Sequence, residues 1–246
     1  VPAQKIDQLL KGDRIWEIRR RAKFMEVHFS SGAVLVFHSG MTGNLGIFAQ
    51  DAPLLRHDHV RFLLDNGQEL RFNDTRRFGC IYCLSPEEAI EREQTIYRTM
   101  GPEPFEDGFS GEYLLQRANR RTAPVKTFLM DSRIVVGIGN IYANEALFKA
   151  GIAPNQPTGS LSLNQWQRLA TSCREVLSHA IDCGGSTISD FVNASGERGY
   201  FQINFCVYGR AGEPCPHCGK KIIKSILGGR ASIMYPQCQQ TSQGGK

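Results

Sequence analysis

Apolar and polar residues alternate with a period of two along the first third of the chain, which is typical of strands with one buried face. The stretch MEVHF (25–29) alternates in this way and is followed, after a polar turn, by the apolar run VLVF (34–37). Further along, VRFLL (60–64) and ELRF (69–72) flank an Asn-Gly pair (66–67). Asn and Gly both tolerate positive φ, so this pair between alternating runs is a strong hairpin signal. The pattern predicts two β-hairpins in a β-rich region.

The pattern becomes helical beyond a segment rich in proline and glycine, GPEPFEDGF (101–109), which we interpret as a linker. Between Ser160 and Gly184, apolar residues recur at the i, i+3, i+4, i+7 spacing of a helix with one buried face. Ser160 or Ser162 can cap the start of this helix, and glycines can terminate it. Cys173 lies on the apolar stripe, so we expect it in the core rather than as a reactive thiol.

Two shorter helices are predicted as well. One lies between Pro86 and Met100, and the other follows a glycine turn in GIGNIYANEALFKAG (137–151). Asn140 is a natural N-cap for the second helix, because its side chain can accept a hydrogen bond from a free backbone N–H. The free N–H groups at such a helix start also bind phosphate. Most N-cap residues only cap, so a phosphate site is one of two interpretations here.

Basic residues are grouped rather than spread evenly. The net charge is +5 and the pI is about 8.8, a mild excess that by itself says little about a partner. Clusters spread over the whole chain favour a nucleic-acid partner over merely solvated surface. The clusters are Arg19, Arg20, Arg21 and Lys23; Arg76 and Arg77; Arg120 and Arg121; and Lys220, Lys221, Lys224 and Arg230.

Nothing in the sequence indicates a membrane or secreted protein. No stretch approaches the ~20 apolar residues that cross a bilayer, and the start carries no signal-peptide pattern. Eight cysteines are scattered in a chain too long for a disulfide-stapled miniprotein. This usage favours the reduced thiols of a cytoplasmic protein and a partial metal site.

The C-terminal region begins like a four-cysteine metal site and departs from it at one position. Cys215 and Cys218 form a C-x-x-C pair, but the second pair expected further on reads Tyr235-Pro-Gln-Cys238. Four cysteines at this spacing would be a strong zinc signature, whereas a phenol is a rare zinc ligand. Two alternatives stay open: a three-cysteine zinc site completed by water or His217, and a hairpin without metal.

Seven segments, in order along nearly the whole chain, resemble the formamidopyrimidine-DNA glycosylase family, whose members excise oxidised purines and then cut the abasic strand. Each segment alone is modest support, but the ordered set is specific. The segments are RRRAKF (19–24), HSGMTGNL (38–45), DTRRFG (74–79), MDSRIVVGIGNIYANEALF (130–148), GGSTISDF (184–191), VYGRAGEPCPHCG (207–219) and GGRASIMYPQCQ (228–239).

The resemblance implies an α+β multidomain fold with an N-terminal β-sandwich, incomplete in this chain, a helix-two-turn-helix domain, and a C-terminal β-hairpin of the zinc-finger type. We expect the partial sandwich at residues 1–98, a hinge at 99–109, the helical domain at 110–204 and the hairpin at 205–246. The implied cofactor is one zinc ion. The implied partner is double-stranded DNA with oxidised bases or abasic sites, bound by a monomer in the bacterial cytoplasm.

The resemblance also assigns roles to five side chains. A damaged base must leave the duplex before it can be attacked, and an apolar side chain can fill the gap. Met41, Arg76 and Phe78 match the family's three void-filling residues, and Arg76 would bond the cytosine opposite the lesion. Lys23 matches the lysine assigned to β-elimination, and Arg230 matches the arginine assigned to δ-elimination. Because arginine stays charged in proteins, we interpret Arg230 as a phosphate clamp more readily than as an acid.

Further residues match the family's phosphate contacts, which position a duplex without reading its sequence. They are His57, Arg120 or Arg121, Lys126, Asn140 and Arg230. The stretch STISDFVNASGERGY (186–200) matches the family's loop over the flipped base, and its glycines predict a mobile lid.

One departure from the family concerns catalysis. The family's nucleophile is the amine of an N-terminal proline followed by glutamate, which forms a Schiff base with the sugar. This chain begins Val1-Pro2-Ala3 and contains no such segment, so we expect these 246 residues to bind DNA without excising a base. Two alternatives to a purine glycosylase stay open: a catalytically inactive DNA-binding relative, and an endonuclease VIII-like glycosylase for oxidised pyrimidines.

Overall fold

The protein folds into two compact units. The computed structural model describes residues 2–185, 205–215 and 217–239. Unit 1 consists of Val1–Arg98 with Cys183–Gln202, and unit 2 consists of Thr99–Asp182 with Ile203–Lys246. The stretch expected to form the loop over the flipped base lies outside the described residues.

Unit 1 is built mainly from antiparallel strands. They are β1 (Ile15–Arg21), β2 (Phe24–Phe29), β3 (Val34–His38), β4 (Asn44–Ala49), β5 (Asp58–Leu63), β6 (Gln68–Asn73) and β7 (Cys80–Leu84). A four-stranded sheet has the order β1-β2-β3-β7, and a three-stranded sheet has the order β4-β6-β5. Helices α1 (Ala3–Leu10) and α2 (Pro86–Thr95) also belong to this unit, and α2 is the helix predicted after Pro86.

Both predicted hairpins are confirmed. Met25 pairs with Phe37 across β2 and β3, and Phe62 pairs with Leu70 across β5 and β6. The apolar faces of the two sheets share one core. In this core the Phe37 ring lies 5.9 Å from Phe62 and 6.1 Å from Phe72, measured between centroids. The sheets therefore pack as the expected β-sandwich.

Unit 2 combines a helical body with a C-terminal hairpin. Its helices are α3 (Gly111–Ala118), α4 (Val125–Leu129), α5 (Asn140–Lys149) and α6 (Leu163–Asp182), and its strands are β8 (Ile223–Leu227) and β9 (Arg230–Met234). Helix α6 packs against α3 and α5 around the fully buried Trp166. The described part of the chain contains no helix with both the length and the apolar character that crossing a bilayer requires. The helical unit and its hairpin agree with the predicted fold class.

The long helix α6 follows the predicted apolar stripe. The Ser162 hydroxyl accepts the N–H of Gln165 at 3.4 Å, and the Gln165 side chain accepts the N–H of Ser162 at 2.9 Å. Ser162 is therefore the cap, out of the two candidates. Gly184 and Gly185 follow the helix end with positive φ. Cys173 is buried, and burial raises the pKa of its thiol to about 12, which agrees with a core position.

The prediction that Asn140 caps α5 is wrong by one residue. Gly139 occupies the N-cap position with extended backbone (φ −98°, ψ −176°), and Asn140 is the first helical residue. Because Gly139 has no side chain, it cannot bond the free N–H groups of the first turn. The start of α5 therefore leaves these groups without a side-chain cap.

The segment 101–109 contains no helix or strand, and residues at both of its ends are buried while 105–108 are exposed. A Cβ atom added to Gly101 would lie 2.2 Å from the Ile134 carbonyl oxygen, so only glycine fits there. Phe109 is fully buried, and the Arg174 guanidinium donates a hydrogen bond to its carbonyl oxygen. The hinge role expected for this segment stays a prediction.

Candidate nucleic-acid interface

Two loops of the unit 1 sandwich lie with their backbones in contact. The β3–β4 loop contains Gly40, and the β6–β7 loop contains Phe78 and Gly79. A Cβ atom added to Gly40 would lie 2.7 Å from the carbonyl carbon and oxygen of Phe78. Gly40 also has φ +59°, a conformation that other residues adopt rarely. Glycine at this position lets the two loops approach each other.

These loops carry the predicted void-filling residues, and both apolar side chains are exposed. Met41 is 63% exposed and Phe78 is 57% exposed, so neither belongs to the core. The Arg76 guanidinium lies over the Phe78 ring, 4.8 Å from its centroid. Proteins that distort DNA insert exposed apolar side chains between stacked bases and place cationic side chains beside them. The structure therefore brings the three residues together on neighbouring loops.

A buried carboxylate, Asp74, joins the two loops, and the sequence patterns did not single it out. Its Oδ1 accepts hydrogen bonds from the Thr42 hydroxyl and from the Arg76 N–H (3.3 Å). Its Oδ2 accepts one from the Gly79 N–H (2.7 Å). The Thr42 hydroxyl oxygen also lies 3.1 Å from the Arg76 nitrogen and accepts its N–H. The signal was present in DTRRFG, because an aspartate at the start of a turn often accepts the turn's amides.

These hydrogen bonds decide the charge of Asp74. Burial acts to raise the pKa of its carboxyl, but the bonds from the Thr42 hydroxyl and the loop amides outweigh burial. They hold the pKa below its ordinary value of 3.8, so the group is ionised at neutral pH. Arg77, in the same loop, has φ +56°, a strained value for a residue other than glycine. The bonds to Asp74 fix the loop that contains this strain.

His57, a predicted phosphate contact, is tied to the same aspartate through the backbone. The Asp74 N–H donates to the His57 carbonyl oxygen (3.1 Å), and His59 Nε2 donates to the Asp74 carbonyl oxygen (2.9 Å). His57 has φ +82°, and its ring lies 6.0 Å from that of His59. The half-buried His57 is therefore held beside the β6–β7 loop.

Lys23, the predicted β-elimination residue, is exposed in the turn between β1 and β2. The next residue, Phe24, pairs with His38, and their rings lie 5.3 Å apart. Burial lowers the pKa of His38, and the nearby charge of Lys23 lowers it further. The Lys23 charge is therefore close to His38, where the β3–β4 loop begins.

In unit 2, Arg120 and Arg121 are exposed after α3. Arg120 has φ +58°, and the Arg121 guanidinium lies 5.5 Å from the centroid of the Phe128 ring. Asn140 differs from both, because its side-chain Oδ1 is buried and has no hydrogen-bond partner among the described residues. A buried polar atom without a partner is uncommon and needs an explanation, such as a water or ion that completes its bonding.

Lys126 is placed differently from a surface phosphate contact. It is fully buried, and its Nζ donates to the Ala231 carbonyl (2.5 Å) and to the Ser232 hydroxyl (2.8 Å) of β9. Burial, with the charge of Arg230 beside it, lowers the pKa of Lys126 to about 8. Arg230 is exposed and opens β9. Lys126 therefore braces the strand that presents Arg230, and its own phosphate contact stays a prediction.

Three thiols of unit 2 lie close enough together to hold a metal ion. The Sγ atoms of Cys215, Cys218 and Cys238 all lie within 4.8 Å of one another. The Sγ atoms of Cys215 and Cys238 are 3.8 Å apart. Tetrahedral zinc with Zn–S bonds of about 2.3 Å separates its sulfur ligands by about 3.8 Å. The cluster can therefore bind a metal with three of its ligands already in place.

Tyr235, where a fourth cysteine would stand, is engaged elsewhere. Its hydroxyl donates to the Cys206 carbonyl oxygen (2.6 Å), and its buried ring lies 4.6 Å from that of Phe148. Burial raises the pKa of the phenol to about 12, which disfavours a phenolate ligand. The side chain of His217 is exposed, and its backbone N–H donates a hydrogen bond to Cys215 Sγ (3.3 Å). Tyr235 therefore fills the small core under the hairpin and does not complete the thiol cluster.

Helix α5 ties the hairpin region to the helical body through two side chains that the motifs contained but did not explain. Asn144 Oδ1 accepts the N–H of Ile233 in β9 (2.9 Å). The buried Glu145 accepts three backbone N–H groups, those of Cys206 (2.9 Å), Val207 (3.0 Å) and Tyr208 (2.8 Å). Both are polar residues within the apolar run of α5, which is the sequence signal for buried hydrogen bonding.

Two family models match this chain. The formamidopyrimidine-DNA glycosylase N-terminal domain matches residues 1–81, and the formamidopyrimidine-DNA glycosylase H2TH domain matches residues 100–192. The formamidopyrimidine-DNA glycosylase of Stenotrophomonas maltophilia (strain K279a) is 47% identical over 236 residues, which cover 96% of this chain and 86% of that protein. That of Hahella chejuensis (strain KCTC 2396) is 47% identical over 230 residues, with 94% and 83% covered.

Solved structures agree with these matches. The MutM (Fpg) protein from Thermus thermophilus superposes with a TM-score of 0.84 at 36% identity, covering 96% of this chain and 86% of that one. The Lactococcus lactis Fpg in complex with abasic-site DNA gives a TM-score of 0.88 at 31% identity, covering 97% and 86%. The fold and its matches define a protein with an N-terminal sandwich and an H2TH domain. More narrowly, the chain belongs to the formamidopyrimidine-DNA glycosylase family.

Proposed function

We propose that this protein belongs to the DNA glycosylases that remove oxidised purines and cleave the abasic strand left behind, and that the residues described here supply its recognition of the lesion. One observation carries the proposal: Met41, Arg76 and Phe78 stand on two joined loops, with both apolar side chains exposed beside the arginine. Family membership supports the reaction class. Similar structures include Lactococcus lactis Fpg with abasic-site DNA and a mutant of it with Fapy-dG DNA.

The three exposed residues match the needs of base extrusion. Moving a base out of the stack costs a few kcal/mol, and apolar wedges between base steps accompany such distortions. Met41 and Phe78 enter the vacated space and replace part of the lost stacking. The cytosine that has lost its partner offers two acceptors on its pairing edge. The Arg76 guanidinium donates hydrogen bonds to these acceptors.

The charged residues of both units serve the DNA backbone in this proposal. The proposed phosphate contacts are His57, Arg120 or Arg121, Lys126, Asn140 and Arg230. Lys23 donates a proton during β-elimination. Arg230 keeps its charge and stabilises the departing phosphate during δ-elimination. The buried ammonium of Lys126 also supports β9, which carries Arg230.

We further propose zinc as the ion of the thiol cluster. The 3.8 Å separation of Cys215 and Cys238 supports this choice, since it equals the spacing of sulfur ligands on tetrahedral zinc. Water or His217 then takes the fourth position, because Tyr235 is bonded to Cys206. When bound, the ion cross-links the C-x-x-C turn to the chain that follows β9.

The organisation of the whole protein belongs to the same proposal. We assign the sandwich to residues 1–98, the hinge to 99–109, the H2TH domain to 110–204 and the hairpin to 205–246. The protein acts as a monomer in the bacterial cytoplasm, where its chromosomal substrate lies.

DNA binding tests the central claim without requiring base excision. The two probes are a duplex with a tetrahydrofuran abasic-site analogue opposite cytosine and the same duplex without a lesion. We expect the lesion duplex to bind at least about 10-fold more tightly, and Phe78→Ala to remove most of that preference, since stacking on an aromatic ring is worth about 1–3 kcal/mol. Leu63→Ala, at another exposed apolar position of unit 1, is the control and should keep the preference. Equal affinity of the unaltered protein for both duplexes would overturn the proposal.

Metal analysis tests the zinc assignment. Protein produced with zinc in the medium and purified without chelator should contain close to one zinc per chain, and Cys238→Ser should lose it. Tyr235→Phe should retain the metal, because the phenol is not a ligand. A zinc content near zero in the unaltered protein would establish the metal-free hairpin instead.

A further inference from the structure

The two loops that carry the void-filling residues are joined by a specific set of hydrogen bonds. Met41 stands on the β3–β4 loop, and Arg76 and Phe78 stand on the β6–β7 loop. Besides their backbone contact at Gly40, the loops share the buried carboxylate of Asp74. The position of one loop is therefore linked to the position of the other.

Thr42 makes the connection between the loops. It directly follows Met41, is 5% exposed, and donates its hydroxyl proton to Asp74 Oδ1. The same hydroxyl oxygen accepts the backbone N–H of Arg76 at 3.1 Å. The Thr42 hydroxyl therefore bonds the carboxylate of Asp74 and the backbone N–H of Arg76, the residue proposed to contact the cytosine.

The other bonds of Asp74 hold the β6–β7 loop by itself. Gly79 N–H donates to Oδ2 at 2.7 Å, and Arg76 N–H reaches Oδ1 at 3.3 Å. These bonds do not involve the β3–β4 loop. Removing only the Thr42 hydroxyl therefore leaves the Asp74–Gly79 bond in place and removes the hydrogen bonds of Thr42 to Asp74 and to the Arg76 N–H.

We infer that Thr42, together with Asp74, positions the Met41 loop and the Arg76–Phe78 loop relative to each other and thereby determines recognition of the base opposite the lesion. Neither residue touches DNA in this assignment, so both are positioning residues. The inference rests on the proposed function, because it presumes that Arg76 contacts the orphaned base. A shift of Arg76 relative to Met41 would weaken a directional arginine–cytosine bond more than it weakens phosphate contacts.

The experiment compares opposite-base preference. The probes are tetrahydrofuran duplexes with cytosine or adenine opposite the analogue, and an undamaged duplex. Thr42→Val keeps the shape and removes the hydroxyl, whereas Thr42→Ser keeps the hydroxyl and removes the methyl group. We expect Thr42→Val to lower the cytosine-over-adenine affinity ratio about 5-fold or more, since a specific base contact is worth at least about 1 kcal/mol of discrimination. Thr42→Ser should restore the ratio, and affinity for the undamaged duplex should stay within about 2-fold throughout.

Each outcome has a definite meaning. If the unaltered protein prefers cytosine and Thr42→Val keeps that preference, the positioning inference is wrong. If Thr42→Val weakens all three duplexes equally, or Thr42→Ser fails to restore the ratio, the role is general stability and the inference is also wrong. If the unaltered protein does not distinguish lesion from undamaged DNA, the proposed function fails first, which separates the two failures.

Discussion

In each unit a buried charged side chain holds a segment whose exposed residues are proposed to contact DNA, and the two charges are stabilised differently. In unit 1, Asp74 accepts hydrogen bonds from a hydroxyl and from several loop amides, and its pKa lies below the ordinary value. In unit 2, Lys126 donates to one carbonyl and one hydroxyl, and its pKa falls to about 8. A lowered pKa favours the charged form of a carboxyl and disfavours the charged form of a lysine.

The difference shows that burial alone does not decide whether a charge stabilises a fold. Asp74 is 1% exposed and Lys126 is 0% exposed, so both are removed from water. The aspartate has enough donors to outweigh its desolvation, whereas the lysine has few acceptors and a neighbouring cation, Arg230. Asp74 therefore contributes stability through its charge, while the charge of Lys126 is kept at a cost that the rest of unit 2 offsets.

The largest loss of stability is expected for Glu145→Ala. This variant tests whether Asp74 and Lys126 differ because their charges have opposite signs or because they lie in different units. Glu145 is a buried acidic residue in the same unit as Lys126, and it resembles Asp74 in accepting hydrogen bonds from backbone N–H groups. Glu145→Ala leaves three backbone N–H groups without this acceptor, and each buried unpaired donor costs about 1–3 kcal/mol. We expect a loss of about 3–5 kcal/mol in the free energy of unfolding, measured by urea denaturation.

The control for Glu145 is Glu175→Ala, at an exposed carboxylate paired with Lys149 at 3.0 Å. Exposed pairs contribute about 0–1 kcal/mol, so this variant should remain close to the unaltered protein. A similarly small loss for Glu145→Ala would mean that anions bound by amides are not the stabilising feature that distinguishes Asp74 from Lys126.

The elements with local signals could be predicted from the sequence. The hairpins containing Met25 and Phe62 follow from alternation over a few residues, and α6 follows from its apolar stripe. The cap of α5 was misplaced, because whether Gly139 or Asn140 leaves the helix depends on one backbone angle that both residues tolerate. Local patterns therefore give the elements and leave their ends uncertain by a residue.

The two buried ions could not be predicted in the same way. Asp74 acquires its role through Thr42, which is 32 positions away in the chain, and periodicity carries no such pairing. Lys126 was named only as a match to the family's phosphate contacts, and that match does not indicate burial. Its neighbours Val125, Phe128 and Leu129 are all buried, and this apolar setting was the available signal. Which exposed residues meet at a site can be predicted from motifs, but what supports them depends on tertiary contacts.

The second prediction tests whether the charge of Asp74 stabilises unit 1. In Asp74→Asn an amide nitrogen replaces one of the two carboxylate oxygens that accept hydrogen bonds. We expect the free energy of unfolding to fall by about 2 kcal/mol at neutral pH. Because the folded pKa lies below 3.8, the advantage of the unaltered protein is fully present above the unfolded value. It should decline as the pH falls through the folded pKa. Urea unfolding of both proteins between pH 7 and pH 3 measures this difference.

Asp51→Asn, at an exposed carboxylate of unit 1, is the matched control and should show no comparable loss. A difference between Asp74→Asn and the unaltered protein that stays constant down to pH 3 would show that the shape of the side chain, rather than its charge, holds the two loops.

The smallest effect at neutral pH is expected for Lys126→Met, and its pH dependence has the opposite origin to that of Asp74→Asn. Removing the ammonium relieves its desolvation but leaves the Ser232 hydroxyl without that donor, so the net change at pH 7 should be within about 1 kcal/mol. The folded pKa of about 8 lies below the ordinary 10.5, so between these values the unfolded chain binds more protons than the folded one. The stability of the unaltered protein relative to Lys126→Met must therefore rise with pH across this window and level off above it.

The control is Lys149→Met, at a half-exposed lysine, which should show no such rise. A flat or falling difference would mean that the Lys126 ammonium is stabilised by its two acceptors, which would remove the contrast between the two units.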